Sequence, residues 1–254
     1  MKIALINEIK KIIWRKKFLG VLFILFVAEL LYYYRISKGG NPEQYISGIQ
    51  ISYEFFQSIR PFFWILAVYF ICDIINEDYH YEMMKTALTR KITRTEYLFS
   101  KFLVSVATVE ALFLFIMLSA GGIGGLFHGW KLLINDGSTL FSGNVVLLFL
   151  VGLIGSSLLT IGAFTAICLC IIVASQKASI SLGLGMSLIF LMLLLETDAK
   201  LSPFLISKQI IELPLHMMKG STLYHLPGIT LFLILIIVGV SCSVSMFNKQ
   251  DMYI

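Results

Sequence analysis

Charge is scarce in this chain. Asp, Glu, Lys and Arg together make up 14% of 254 residues, against about 25% in an ordinary soluble domain. The hydrophobic share is correspondingly high, 58%. A soluble fold of this length would have to expose many of those apolar side chains, whereas a chain that crosses a bilayer repeatedly can turn them to lipid. A soluble enzyme, a disordered tail and a disulfide scaffold are excluded on this ground. Cysteine is equally sparse. Cys72, Cys168, Cys170 and Cys242 all fall in apolar runs, with no CxxC pair and no Cys/His cluster, so neither a disulfide framework nor a zinc site is indicated. Also missing are a GxxxxGK[ST] phosphate loop and an HExxH pair. No spanning His stands ready to activate Ser156 or Ser157. His80, His128, His216 and His225 fall in the connections, where they read as solvated or interfacial.

What is present is six long apolar runs, at about 18–34, 59–76, 98–121, 144–174, 178–196 and 226–247. Each approaches the ~20 residues a spanning helix needs. The expected fold is all-α, a single polytopic membrane domain over 1–254 with six transmembrane helices. The first 17 residues precede these runs. At 100° per residue, Leu5, Ile6, Ile9, Ile12 and Ile13 share one face and Lys10, Lys11 and Arg15 the other, the pattern of an amphipathic helix lying in the membrane interface. The net charge of +5 points to cytoplasmic loops and lipid headgroups rather than to nucleic acid. With six spans, thirteen of the 20 Lys and Arg residues fall on the side of the termini, which predicts both termini in the cytoplasm of a bacterial-type plasma membrane.

Two connections carry detail. The external stretch 197–225 is too polar to span but holds Leu201, Phe204, Ile206, Ile210 and Leu213, punctuated by Pro203 and Pro214. It reads as one or two short re-entrant or capping helices. The glycine run Gly121–Gly125 reads as a flexible exit from the third span. Within the spans, Glu29 and Glu110 are expensive charges. Either they line a substrate path and attract cationic groups, or they are paired carboxyls that hold the bundle, with Arg35 and Arg60 as partners in reach of the chain. Small residues recur every four positions at Gly152, Ser156 and Thr160 and again at Ser179, Gly183 and Ser187. Such stripes serve packing within one bundle or a dimer seam.

The cytoplasmic stretch 77–97 is the most informative. Acidic Glu77, Asp78 and Glu82 precede Ala87-Leu88-Thr89-Arg90-Lys91-Ile92-Thr93-Arg94, and Ser100-Lys101 opens the next span. This resembles the loop between the second and third helices of ABC-2-type ABC transporter permeases. There an acidic residue is followed by Gly-Thr-Leu, Leu-Leu-Thr-Arg-Pro-Ile-Ser-Arg and a Gly-Lys pair. Glu82, Met83, Lys91 and Ser100 depart from that pattern.

The resemblance implies a permease subunit without catalytic residues of its own. It would pair with a second permease, identical or not, and with a separate ATP-binding subunit that holds ATP and Mg. The loop would be the coupling helix, with Met84, Thr86, Thr89, Arg90, Thr93 and Arg94 touching the ATPase, and 1–17 the connecting element. Short permeases of this kind resemble exporters of peptide antibiotics, immunity systems and amphipathic peptide toxins of the phenol-soluble-modulin type, so the expected cargo is an amphipathic or hydrophobic peptide moved outward. A secondary transporter or channel would call for symmetry-related broken helices, and no internal repeat is visible. A non-transporting membrane sensor subunit is the other alternative.

Overall fold

A computed structural model describes residues 16–39, 47–80, 93–130, 133–135, 140–175, 177–197, 201–220 and 225–249. The N-terminal segment 1–15 and most of the 77–97 connection, with Met84, Thr86, Thr89 and Arg90, lie outside the described residues.

Seven α-helices make up the bulk of the described chain, in the order α1 (Lys16–Gly39), α2 (Gly48–His80), α3 (Arg94–His128), α4 (Asn144–Ser175), α5 (Ala178–Leu195), α6 (Ile206–Met218) and α7 (Leu226–Lys249). A short antiparallel pair, β1 (Leu133–Asn135) with β2 (Leu140–Ser142), joins α3 to α4. All but α6 are long and apolar enough to cross a membrane, so the chain is an all-α polytopic membrane protein.

The six differ in how much they bury. In α2, α3 and α4, half or more of the most apolar stretch is enclosed, whereas α1, α5 and α7 are enclosed on one narrow stripe. On α1 that stripe is Phe18, Leu25, Glu29 and Ile36, at the spacing of one helical face. On α5 it is Ser181, Gly185 and Ile189. The outward faces of these peripheral helices carry Phe23, Ile24 and Leu31, then Phe190 and Leu194, then Ile234 and Ile237. In water that would be an aggregation surface; in a bilayer it is the lipid-facing wall.

The centre is aromatic. Phe56 meets Phe63 and Phe113 edge to face at 5.2 and 5.0 Å, and Trp64 leans on Phe164 of α4 at 4.7 Å. Such pairs add about 0.5–1.5 kcal/mol each beyond the area they bury.

Contacts between helix ends set the topology. Lys17 reaches Asp73, Asn76 donates to Ser181, and Arg94 donates to the carbonyl of Asn248. The start of α1, the end of α2, the starts of α3 and α5 and the end of α7 thus share one end of the bundle, here the terminal end. The opposite, far end holds Gly48, Gly125, Glu196 and α6. With about 1.5 Å of rise per residue, α2, α3 and α4 are each on the order of 50 Å long, well beyond a ~30 Å hydrocarbon core.

Two expectations are corrected here. The second helix begins at Gly48, eleven residues before the apolar run, because Ile51, Phe55 and Phe56 already bury one face of it. The glycine run Gly121–Gly125 is helical, and α3 continues through it to His128. A Cβ on Gly48 would sit 2.5 Å from the Gly125 nitrogen and 2.7 Å from the Gly121 carbonyl, and one on Gly125 would meet the Trp130 ring at 2.6 Å. These glycines let α2 and Trp130 approach the backbone of α3, and a chain exit is not their role.

Candidate functional site

The described end of the 77–97 connection is a built helix start. Thr93 is extended, and its hydroxyl accepts from the Glu96 backbone N–H at 3.2 Å, while the Glu96 carboxylate accepts from the Thr93 N–H at 3.2 Å. This reciprocal capping box satisfies two N–H groups that a helix start leaves open. Arg94 turns toward the last helix, where its guanidinium donates to the Asn248 carbonyl at 3.3 Å. One turn further, Tyr97 stacks on Phe247 at 6.1 Å. Lys101, only 3% exposed, lies over the Tyr97 ring. Of the six residues assigned to coupling, Thr93 and Arg94 therefore stand together on a fixed corner between α3 and the C-terminal end of α7.

The two buried carboxylates are not brought together. Glu29 of α1 accepts from Ser119 of α3 at 2.8 Å, and Glu110 of α3 accepts from Ser157 of α4 at 2.6 Å. Their serine and glutamate footholds on α3 are nine positions apart, roughly 13 Å along the axis. Each carboxylate is almost wholly enclosed, and its second oxygen makes no hydrogen bond within the described residues. Neither takes the arginine partner that reach along the chain offered. Arg35 is exposed, and Arg60 is engaged elsewhere.

Arg60 lies inside the bundle instead of in a loop. Its guanidinium meets Glu196, at the end of α5, at 2.6 Å, with the two side chains only 15% and 12% exposed. The other oxygen of Glu196 accepts from Ser207, in the first turn of α6, at 2.6 Å. One carboxylate thus ties α2, α5 and α6 together, and it does so at the positive end of the α6 dipole.

Helix α6 is seated on α4 by a second device. Pro214 lacks an N–H, so the Ile210 carbonyl one turn earlier loses its helical donor. Ser156 of α4 donates to that carbonyl at 3.0 Å. Beside it, Gly152 leaves room for Pro214 and Met217. The Gly152, Ser156 and Thr160 stripe is therefore used within the bundle. The other stripe, Ser179, Gly183 and Ser187, faces outward, and Gly183 has nothing within 4 Å of a built Cβ.

Of the histidines read as solvated or interfacial, His225 departs from that reading. His225 is fully enclosed and shares a 2.8 Å hydrogen bond with the equally enclosed Gln209. Its ring centre lies 4.3 Å from that of His216. Burial holds its pKa below the ordinary imidazole value, and the neighbouring His216 adds to this, against a smaller opposing effect of Glu212.

The sequence missed both the Arg60–Glu196–Ser207 link and the His225 enclosure. The only available signals were the amphipathic spacing of Ile51, Phe55, Phe56 and Ile59 ahead of Arg60, and the apolar residues flanking Gln209. Among the described residues no group of three or more His, Cys, Asp or Glu is placed to hold a metal. Compared with protein-family models and with curated proteins, the chain matches none.

Proposed function

We propose that this chain is the permease subunit of an ATP-driven exporter, working with a second permease and with a separate ATP-binding subunit docked at the 77–97 elbow. The ATPase, with its ATP and Mg, would supply the work. This chain would supply the gate, with both termini in the cytoplasm and an amphipathic or hydrophobic peptide as cargo. The observation that carries the reading is the corner at Thr93 and Arg94. A capped helix start, braced against the last helix, joins the elbow directly to α3, which is closely packed with α2. A push on a frayed loop would be lost in local motion; a push on this corner is passed to two helices about 50 Å long. The loop sequence that resembles the ABC-2 coupling element supports the same assignment, as does the excess of Lys and Arg at that end. Glu29 and Glu110, each with an oxygen left open, are assigned as candidate contacts for cationic groups of the peptide.

The test is co-purification with the cognate ATPase, followed by ATP hydrolysis with and without peptide. Arg90→Glu is expected to abolish peptide-stimulated hydrolysis and weaken capture of the ATPase. Arg94→Glu should do the same, while Arg94→Lys should retain most of the stimulation. Full stimulation in the Arg90→Glu/Arg94→Glu double variant would overturn the coupling assignment. Unchanged export in both Glu29→Gln and Glu110→Gln would remove those two from the path.

A further inference from the structure

The far end of the bundle is closed by α6, and the ties that hold it differ in kind. Two do not titrate near neutrality: the Ser156 bond to the Ile210 carbonyl, and the close approach of Gly228 to the Pro203 carbonyl that brings α7 against the turn before α6. A third is the ion pair of Arg60 with Glu196, which also holds Ser207. The fourth is the bond between His225 and Gln209, beneath the His216 ring.

We propose that α6 is a proton-operated clasp, closed while His225 is neutral and released from α4 and α7 when His225 takes up a proton. The geometry states why. With the Gln209 oxygen toward it, His225 Nδ1 carries the single proton of the neutral ring. A second proton must go to Nε2, which is itself enclosed. The cation so formed would lie in a fully enclosed site, 4.3 Å from the His216 ring. Both effects oppose charge in the closed state and vanish when α6 lifts into water.

Among the described residues, the charged groups on the elements packed around His225 are these, with Lys219 at the end of α6. On α6 itself, Glu212 opposes the release by favouring the cation, and it is shared with Lys208 at 4.0 Å. On α5, Glu196 is occupied by Arg60 and Ser207, and on α2 Glu54 is bonded to Gln50. Helix α4 carries no Asp, Glu, Lys, Arg or His, the turn Ser202–Phe204 has none, and α7 has only Lys249 at its opposite end. The sign follows from the lowered pKa of the enclosed imidazole. The closed state is fully stabilised above the ordinary histidine value near 6.5 and loses stability as pH falls through it. The clasp is a property of this chain alone and stands whether or not the transport reading holds.

The experiment is hydrogen exchange on the full chain in phosphatidylcholine nanodiscs, at about pH 8 and about pH 5, corrected for the intrinsic exchange rate. Peptides from 206–218 should lose protection on the order of tenfold for each unit by which burial displaces the pKa, while α3 and α4 keep theirs. His216→Phe keeps the ring contact and removes the group that adds to the lowering at His225, so the loss should shrink. Glu212→Gln, a change on a partly exposed face, removes the group that eases protonation, so the loss should grow. The proposal is overturned if 206–218 is equally protected at both pH values, if both variants respond like the parent, or if α3 and α4 open together with α6.

Discussion

Replacing Arg60 by Met removes one half of an ion pair whose members are 2.6 Å apart and mostly enclosed. The Glu196 carboxylate would keep Ser207 and the dipole of α6 but lose its counter-charge. Orphaning one partner of a buried pair costs about 3–5 kcal/mol. The residual exposure of both side chains and the surviving Ser207 bond place this case near the lower bound, about 3 kcal/mol. Replacing both partners, as Arg60→Met with Glu196→Leu, removes the desolvated charges together. That double variant should lie within about 1 kcal/mol of the parent. Glu196→Leu orphans Arg60 at a similar cost, about 3 kcal/mol, so the coupling between the two sites is then about 5 kcal/mol, far above the ~0.3–0.5 kcal/mol scatter of independent sites. The assay is unfolding of the purified chain in detergent, followed by helicity across a denaturant series for parent, both singles and the double. If Arg60→Met costs less than about 0.5 kcal/mol, or if the double costs the sum of the singles, the reasoning that Glu196 gathers three helices through a buried pair is wrong.

Other consequences can be checked by the same melts. Gly48→Ala drives a Cβ into the backbone of α3 at Gly125 and Gly121 and should cost about 1–3 kcal/mol, whereas Gly155→Ala, with nothing within 4 Å, should gain roughly 0.5–1 kcal/mol from helix propensity. Ser156→Ala leaves the Ile210 carbonyl without its replacement donor and should cost about 1–2 kcal/mol, with faster hydrogen exchange in α6. Thr93→Ala removes the capping box and should cost about 1 kcal/mol, seen as fraying confined to the first turn of α3, while Thr93→Ser keeps it.

The spans were legible because twenty consecutive apolar residues are a local property. The runs at 178–196 and 226–247 coincide with α5 and α7 to within a few residues. What was misread depends on partners far away in the chain. Residues 48–60 are too polar to be taken for a span, and Pro61 looks like a natural first position for a helix. The burial of Ile51, Phe55 and Phe56 and the approach of Gly124 and Gly125 to Gly48 explain why the helix starts sooner. The same glycines, read alone, signal flexibility, and only a neighbour pressed against them shows that they are contact points. Arg60 and Glu196 are 136 residues apart, so no spacing rule could join them. Glu29 and Glu110 were visible as costly charges, but hydroxyl partners on neighbouring helices leave no periodic trace.

The distribution of buried surface bears on how such a bundle could move. Helices α2, α3 and α4 form the enclosed centre, while α1, α5 and α7 touch it along single stripes. Sliding within the centre would break the aromatic lattice around Phe56, Phe63 and Phe113 and the glycine contacts at Gly48, which favours α2 and α3 moving as one lever. Their far ends meet at Gly48 and Gly125, whereas α6 is tied to α4 through Ser156 and to α2 through Glu196. A displacement of the lever therefore loads the Arg60–Glu196–Ser207 link before it loads the seat of α6 on α4. If the elbow is where force enters, this link is where it would reach the cap. A cysteine crosslink holding residue 60 to 196 should then leave ATPase capture intact while abolishing export, whereas a bundle that opens by some other route would export normally with the crosslink in place.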